Sequence, residues 1–322
     1  MKTELLNANN AADVTRAVEL LRAGELVAVP TETVYGLAAD ASNPEAVKKI
    51  FAAKQRPSDH PLIVHIGDIE QLSHWAEDIP DWVYPLAEQF WPGPLTMIFK
   101  RLATVSPVIN GGLPSVGIRM PNHPALLQLL QQANMAVAAP SANPYQKLSP
   151  TTAQQVLAGL DGKIAAVLDG GPCGVGTEST ILKVENQQAQ ILRSGPINAV
   201  DLQPFFEQPI EMPRVHSEAV SGNKKVHYQP NAKVILCQPE QLQQLNNEDG
   251  QNAAALVYSS YQQLSCEHIV KLPADDAGYR KALYGTLHDL DKLGVSKIYV
   301  EMPPQQLQWL DILDRLSRAA AK

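Results

Sequence analysis

Residues 30–37 read Pro30-Thr31-Glu32-Thr33-Val34-Tyr35-Gly36-Leu37 and follow the apolar run Leu26-Val27-Ala28-Val29. A short apolar run that ends in a hydroxyl-rich segment has the pattern of a buried strand with a polar end. Next, Ser42-Asn43-Pro44-Glu45 has the character of a helix start, with Ser42 and Glu45 at capping-box spacing. Val47, Ile50 and Phe51 line one face of that helix, which delivers Lys54-Gln55-Arg56-Pro57 at its C-terminal end. A guanidinium clamps a carboxylate or phosphate through two parallel N–H bonds, and a lysine adds a point charge. The strand end and the helix end together are a candidate seat for an anionic substrate. Taken alone the Lys-x-Arg pair means little, because most such pairs are solvated helix ends.

The rest of the chain supports an α/β reading. Residues 13–23 predict a helix, with Val14, Ala17, Val18 and Leu21 on one face and Gly24 as its stop. Residues 62–66 alternate as a strand, and further strands are expected at 95–99, 116–120, 135–139, 165–168 and 180–184. Helical patterns at 124–132 and 151–160 lie between them, giving a large twisted mixed sheet. From 194 to 231, Pro196, Pro204, Pro209, Pro213 and Pro230 interrupt any regular element. Beyond lie four strand patterns, at 233–237, 254–258, 269–272 and 297–301. An amphipathic helix at 275–293 and a last helix at 306–319 accompany them. The expected organisation is a larger α/β domain at 1–195, a linker or lid at 196–231, and a smaller Rossmann-like α/β domain at 232–322. The second domain lacks Gly-x-Gly-x-x-Gly, so dinucleotide binding is not indicated.

Composition narrows the function. The chain has 322 residues, 45% hydrophobic and 18% charged, which is globular. No apolar run has the length of a membrane span, and no signal-peptide core follows the N-terminus. Cys173, Cys237 and Cys266 lie far apart and the eight histidines show no His-x-x-x-His spacing. A cytoplasmic setting without a dedicated metal site is expected. Net charge is −7: 14 basic against 19 acidic residues through Gln203, and 12 against 14 beyond. Neither part is basic, which disfavours sequence-blind nucleic-acid binding. Yet Lys54, Arg56, Arg119 and Arg193 each sit at a strand or helix end, as suits a small anionic ligand.

More segments follow in order: Trp91-Pro92-Gly93-Pro94-Leu95-Thr96; Ser115-Val116-Gly117-Ile118-Arg119-Met120-Pro121; Ala139-Pro140-Ser141-Ala142-Asn143 with Ser149-Pro150-Thr151; Gly170-Gly171 through Gly174 and Gly176 to Glu178-Ser179-Thr180; Ile191-Leu192-Arg193-Ser194-Gly195; and His227-Tyr228-Gln229-Pro230. Together with the two opening segments, this series resembles the YrdC-like threonylcarbamoyl-adenylate synthases in their longer, two-domain form. The resemblance implies a nucleotidyltransferase. It would convert L-threonine, bicarbonate and ATP to threonylcarbamoyl-adenylate and pyrophosphate, for a downstream tRNA-modifying transferase complex. Carried over residue by residue, it places threonine at Thr33, His65, Arg119, Ser179 and the Ala139 backbone. It places ATP at Lys54, Arg56, His60, Ser115, Ser141, Asn143, Ser149, Arg193 and Tyr228, with Lys54 and Arg56 as the catalytic pair. Mg²⁺ would ride on the ATP phosphates with mostly water ligands.

Elementary chemistry agrees. Arg119 is an isolated guanidinium on a strand, suited to an amino-acid carboxylate. Ser149 before Pro150 has the pattern of a helix cap, whose N-terminus attracts phosphate. The glycines at 170–176 form no Walker loop, since no Gly-Lys-Ser/Thr follows. A carbamate that attacks the α-phosphorus needs alignment, charge neutralisation and dryness more than a strong base. Single residues have plainer readings: Ser149 as a helix cap only, His65 as a surface histidine, Cys173 as structural. A Ser141/His65/Asp169 hydrolase triad is disfavoured because no Gly-x-Ser-x-Gly elbow is present. Two rival classes are a non-catalytic double-stranded RNA-binding protein of the same fold and a carbamoyl-phosphate-dependent transferase. The acidic balance opposes the first, and the missing acylphosphatase and zinc-finger regions oppose the second.

Overall fold

The computed structural model describes residues 2–185, 188–212 and 226–321. It divides into two compact units. The first comprises residues 1–145, 150–174 and 178–223; the second comprises 146–149, 175–177 and 224–322.

The first unit is built on a mixed sheet of β1 (Glu4–Asn7), β2 (Val27–Val29), β3 (Gly36–Asp40), β4 (Ile63–His65), β5 (Ala76–Glu77), β6 (Leu95–Arg101), β7 (Ser115–Arg119), β8 (Val137–Ala138), β9 (Ala166–Asp169), β10 (Thr180–Glu185) and β11 (Gln188–Arg193). Their order is β1-β9-β2-β3-β8-β4-β7-β6-β10-β11, with β5 beside β6. Alternation along β2 and β3 separates the two faces. Val27, Val29 and Ala38 enter one core with Val14, Ala17, Leu21, Leu126 and Leu130. Leu26, Ala28, Leu37 and Ala39 enter the other with Val47, Ile50 and Phe51. A strand buried on both faces reads as a continuous apolar run for this reason.

Local chemistry sets the helix starts, not always at the expected residue. Helix Pro44–Lys54 is capped by Asn43, whose side chain accepts from Glu45 N and Ala46 N. Ser42 donates instead to Asp40 Oδ1. The helix at Ala153–Leu160 is capped by Thr152, which accepts from Gln155 N. The expected caps, Ser42 and Ser149, are therefore corrected to Asn43 and Thr152. In both places a residue nearer the first turn reaches the orphan N–H groups. The strands at Glu4–Asn7 and Gly36–Asp40 escape a pattern reading, one being mostly exposed and the other almost wholly buried.

The proline-rich stretch is ordered at its beginning. Residues Ala199–Leu202 and Gln203–Phe205 form short helical turns. Ile197 and Leu202 are buried in the first unit's core, with Phe205, Phe206, Ile210 and Met212 packed against it. Residues 213–225, including Pro213, Arg214 and Ser221-Gly222-Asn223, lie outside the described residues.

The second unit carries a parallel sheet of β12 (Lys233–Cys237), β13 (Ala253–Val257), β14 (His268–Lys271) and β15 (Lys297–Glu301), ordered β12-β15-β13-β14. Its long helix, Asp276–Lys292, is capped by Asp275 and buries Tyr279, Leu283, Leu287 and Leu290. These are the stripe expected from the sequence. The two short segments from earlier in the chain are fastened here. Thr177 Oγ1 donates to Asp311 Oδ2 at 2.8 Å, Gln229 N donates to the Gln146 carbonyl at 2.9 Å, and His288 Nε2 lies 3.3 Å from the Ser149 carbonyl.

Candidate active site

Strand register assembles one group of predicted residues. Parallel pairing of β4 with β7 sets His65 beside Arg119. The β6/β7 pairing of Met97 with Ile118 puts Thr96 next in the row. Parallel pairing of β10 with β6 aligns Ile181 with Thr96, and β11 then brings Arg193 against Ile181. Residues scattered from 65 to 193 thus meet in one transverse row.

Arg119 is the hub of this row and is 3% exposed. Its Nε donates to the Gly93 carbonyl at 3.1 Å, and Nη1 donates to Thr33 Oγ1 at 3.0 Å. Thr33 and Thr31 hydroxyls lie 2.8 Å apart, and Thr31 donates to the Val34 carbonyl at 2.7 Å. A hydroxyl has one proton to give, so Thr33 supplies the proton between the two threonines while it accepts from Arg119. Nη2 of Arg119 lies 2.6 Å from Glu32 Oε1.

His65 is buried, not a surface histidine. Burial first, and then the Arg119 charge, push its pKa down to about 3. The ring is neutral in ordinary buffers. Its Nδ1 lies 3.2 Å from the Ile63 carbonyl, which assigns the proton to Nδ1 and leaves Nε2 as an acceptor. The Ala139 amide donates to the same Ile63 carbonyl at 3.1 Å.

On the far side of Arg119, Ser179 is held from two directions. Its hydroxyl lies 2.8 Å from that of Thr96. Arg193 donates to the Ser179 carbonyl from Nε at 3.0 Å and from Nη2 at 2.8 Å, and Nη2 also reaches the hydroxyl at 3.0 Å. Gly195 makes this possible, since a Cβ there would overlap the Thr180 amide.

A second group forms at the end of helix Pro44–Lys54. Lys54 is 2% exposed, and Nζ donates to the carbonyls of Ser141 and Asn143 at 2.5 Å each. Burial first, and then the Arg56 charge, hold its pKa well below the ordinary value. Gln55 in the left-handed region turns the chain so that Arg56 faces inward, with Nη2 donating to the Pro61 carbonyl at 3.0 Å. The His60 ring stands 5.5 Å from that of Tyr145, whose amide donates to the Lys54 carbonyl at 2.8 Å. Ser115 opens β7, and its carbonyl accepts from Asn110 Nδ2 at 2.8 Å. The cationic pair is therefore a buried assembly, not a solvated helix end.

Ser149 and Tyr228 belong to the second unit. Ser149 is fully buried. Tyr228 is 1% exposed and stacks on Tyr284 at 5.7 Å, with the Arg315 guanidinium 5.3 Å from its ring.

Glu32, Thr31, Thr96 and Tyr145 were missed by sequence reasoning. Thr96, fully buried within an apolar strand, carries the clearest signal, because a hydroxyl there needs a partner. Cys173 is a buried thiol whose pKa burial pushes up to about 12, which makes it inert. Among the described residues no group of three or more His, Cys, Asp or Glu is placed to hold a metal ion. No helix among them is long and apolar enough to cross a membrane.

Comparison with known proteins shows the family of the chain. Residues 19–195 match the Sua5, YciO and YrdC family described as "telomere recombination". Residues 188–321 match the "threonylcarbamoyl-AMP synthase, C-terminal domain" family. A threonylcarbamoyl-AMP synthase of Bacillus subtilis is 40% identical, the alignment covering 97% of this chain and 94% of the relative. One from Pyrococcus abyssi is 36% identical, over 94% and 93%. The crystal structure of P. abyssi Sua5 complexed with L-threonine superposes with a TM-score of 0.91 at 33% identity, covering 99% of this chain and 98% of that one. The Escherichia coli YciO structure shares the fold at 20% identity, with a TM-score of 0.55 over 64% of this chain and 99% of its own. Matched along nearly its whole length and by a family model for each of its two parts, the chain belongs to the two-domain threonylcarbamoyl-AMP synthases, enzymes of the nucleotidyltransferase type.

Proposed function

We propose that this enzyme joins L-threonine, bicarbonate and MgATP into threonylcarbamoyl-adenylate and pyrophosphate, with Arg119, His65, Thr33, Ser179 and the Ala139 backbone as its amino-acid seat. The observation that carries this reading is the Arg119 guanidinium between Thr33, the His65 strand and the Thr96/Ser179 hydroxyls, all buried at one end of the sheet. Arg119 takes the α-carboxylate. The Nε2 acceptor of neutral His65 takes the threonine hydroxyl, and Ser179 and the Ala139 backbone complete the contacts. The similar P. abyssi protein crystallised as a complex with L-threonine, which supports that substrate.

Lys54, Arg56, His60, Ser115, Ser141, Asn143 and Arg193, all of the first unit, are assigned to ATP. Lys54 acts by holding the Ser141–Asn143 turn, whose carbonyls it binds. Arg56 and Arg193 neutralise phosphate charge. This donor set is cationic, imidazole, hydroxyl and amide, without a carboxylate. Mg²⁺ therefore enters on the nucleotide, as part of the substrate, and keeps water in its remaining positions. Threonine's amine captures carbon dioxide from bicarbonate, and a carbamate oxygen then attacks the α-phosphorus in line as pyrophosphate leaves. The protein's part is alignment and charge neutralisation in a dry site. The product is passed to a cytoplasmic transferase complex that modifies tRNA. The double-stranded RNA-binding reading is set aside, since the chain is acidic and its relatives are named as synthases.

The test is pyrophosphate release from MgATP with each substrate omitted in turn. Release should require both L-threonine and bicarbonate, and adenylate analysis should find threonylcarbamoyl-AMP. Equal release with either one missing overturns the proposal.

A further inference from the structure

Glu32 stands between the two threonines of the opening motif, and none of the assigned contacts uses it. Its side chain is 11% exposed, and it lies against Arg119, which is 4% exposed. The contact is close, yet it is not a formed hydrogen bond. Oε1 and Nη2 are 2.6 Å apart, but neither Glu32 oxygen, nor Nη2, has an aligned hydrogen-bond partner among the described residues. Two buried charges touch without the aligned N–H···O bonds that ordinarily offset their desolvation.

The rest of Arg119 is committed. Nε is bound to the Gly93 carbonyl and Nη1 to Thr33. The Nη2 edge that remains is the one an incoming carboxylate would use, and Glu32 already occupies it. Two carboxylates cannot share that edge without a cation between them, because like charges at such distances repel strongly in a poorly solvated site. An amino acid brings its own cation, the α-ammonium, one carbon from the α-carboxylate.

Resting on the amino-acid seat proposed above, we infer that Glu32 is an exchanging counter-ion that selects for an α-amino group. While the seat is empty, Glu32 holds the Arg119 charge. When threonine binds, its α-carboxylate takes Nη2 and its α-ammonium takes the released Glu32 carboxylate. The two charges of the substrate replace, one for one, the two halves of the protein's own pair. A hydroxy acid without the amine would leave Glu32 buried and uncompensated, so the site rejects it. Removing the Glu32 charge should erase that rejection.

The experiment is calorimetric titration without ATP, using L-threonine and (R)-3-hydroxybutyrate, which is threonine lacking its amino group. The wild-type protein should bind threonine at least tenfold more tightly than the hydroxy acid. In Glu32→Gln the two should bind within about threefold of each other, with the hydroxy acid no weaker than in wild type. Glu32→Asp, which keeps the charge, should restore a preference of at least fivefold and guards against a folding defect in the amide variant. If wild type binds threonine and Glu32→Gln keeps the full wild-type preference, the role of Glu32 is wrong while the amino-acid seat stands. If wild type binds no threonine, both are wrong.

Discussion

Arg193 clasps Ser179 at two points, donating to its carbonyl at 2.8–3.0 Å and to its hydroxyl at 3.0 Å. In the proposed site one of these residues would hold ATP and the other threonine, so the clasp would join its two halves. Lysine has no planar fork and cannot make the same set of bonds. Arg193→Lys should therefore weaken the use of both substrates. Loss of charge-assisted bonds of this kind costs about 1.5–3 kcal/mol, or roughly 10–150-fold in kcat/KM. Ser179→Ala should act through the same contacts, so the double variant should lose less than the sum of the single losses. Steady-state kinetics of the three variants checks this, and strict additivity would show that the clasp does not couple the substrates.

Lys54→Met should destabilise the fold as well as the reaction. Methionine fills the same volume but leaves the Ser141 and Asn143 carbonyls without their donor. Each unsatisfied buried acceptor costs about 1–3 kcal/mol, so a loss of about 2–6 kcal/mol is expected in urea unfolding. A variant as stable as wild type would mean that the turn is held by other contacts.

Acid should weaken the protein through His65. Its folded-state pKa, about 3, lies below the ordinary 6.5, so between these values the unfolded chain binds more protons than the folded one. Stability therefore falls as pH drops through that window. From pH 6.5 to 4.5 the contribution is about 2.5 kcal/mol, at 1.36 kcal/mol per unit. His65→Gln, which does not titrate, should lose about that much less over the same interval. Parallel pH profiles for the two proteins would contradict the burial of a neutral ring.

L-Serine should be a poor substitute for L-threonine. It keeps the carboxylate, ammonium and hydroxyl that the amino-acid seat is proposed to read, and lacks only the methyl. One methyl in a packed pocket is worth about 1–3 kcal/mol, which predicts a specificity ratio of roughly 5–150. Matched kcat/KM values for the two amino acids would show that no methyl pocket exists.

Much of this architecture is legible in the chain because the signals are local. The Leu26–Val29 run, the amphipathic stripe of residues 47–51 and the stripe at Tyr279, Leu283, Leu287 and Leu290 each state their own burial within a few residues. The site is legible where rare residue types gather at element ends, as with Lys54, Arg56 and Arg119. What stays hidden is relational. Thr33 and Arg119 are 86 residues apart, and only the folded chain reveals that they touch. Glu32 reads as an ordinary polar strand end until Arg119 is placed on it. Ser42 and Ser149 fit cap patterns, but small differences in backbone path hand that work to Asn43 and Thr152.

The second unit's claim on residues 146–149 and 175–177 has a consequence for the order in which the protein is made. Thr177 must wait for Asp311, 134 residues later, and the Ser149 carbonyl for His288, 139 residues later. At about 5–20 residues per second, a ribosome needs roughly 7–30 s to supply those partners. For that time the nascent chain can hold its large sheet while these two short segments hang unfinished. The synthesis of Asp311 and His288, not the completion of the first unit's sheet, sets the moment at which they acquire their final conformation.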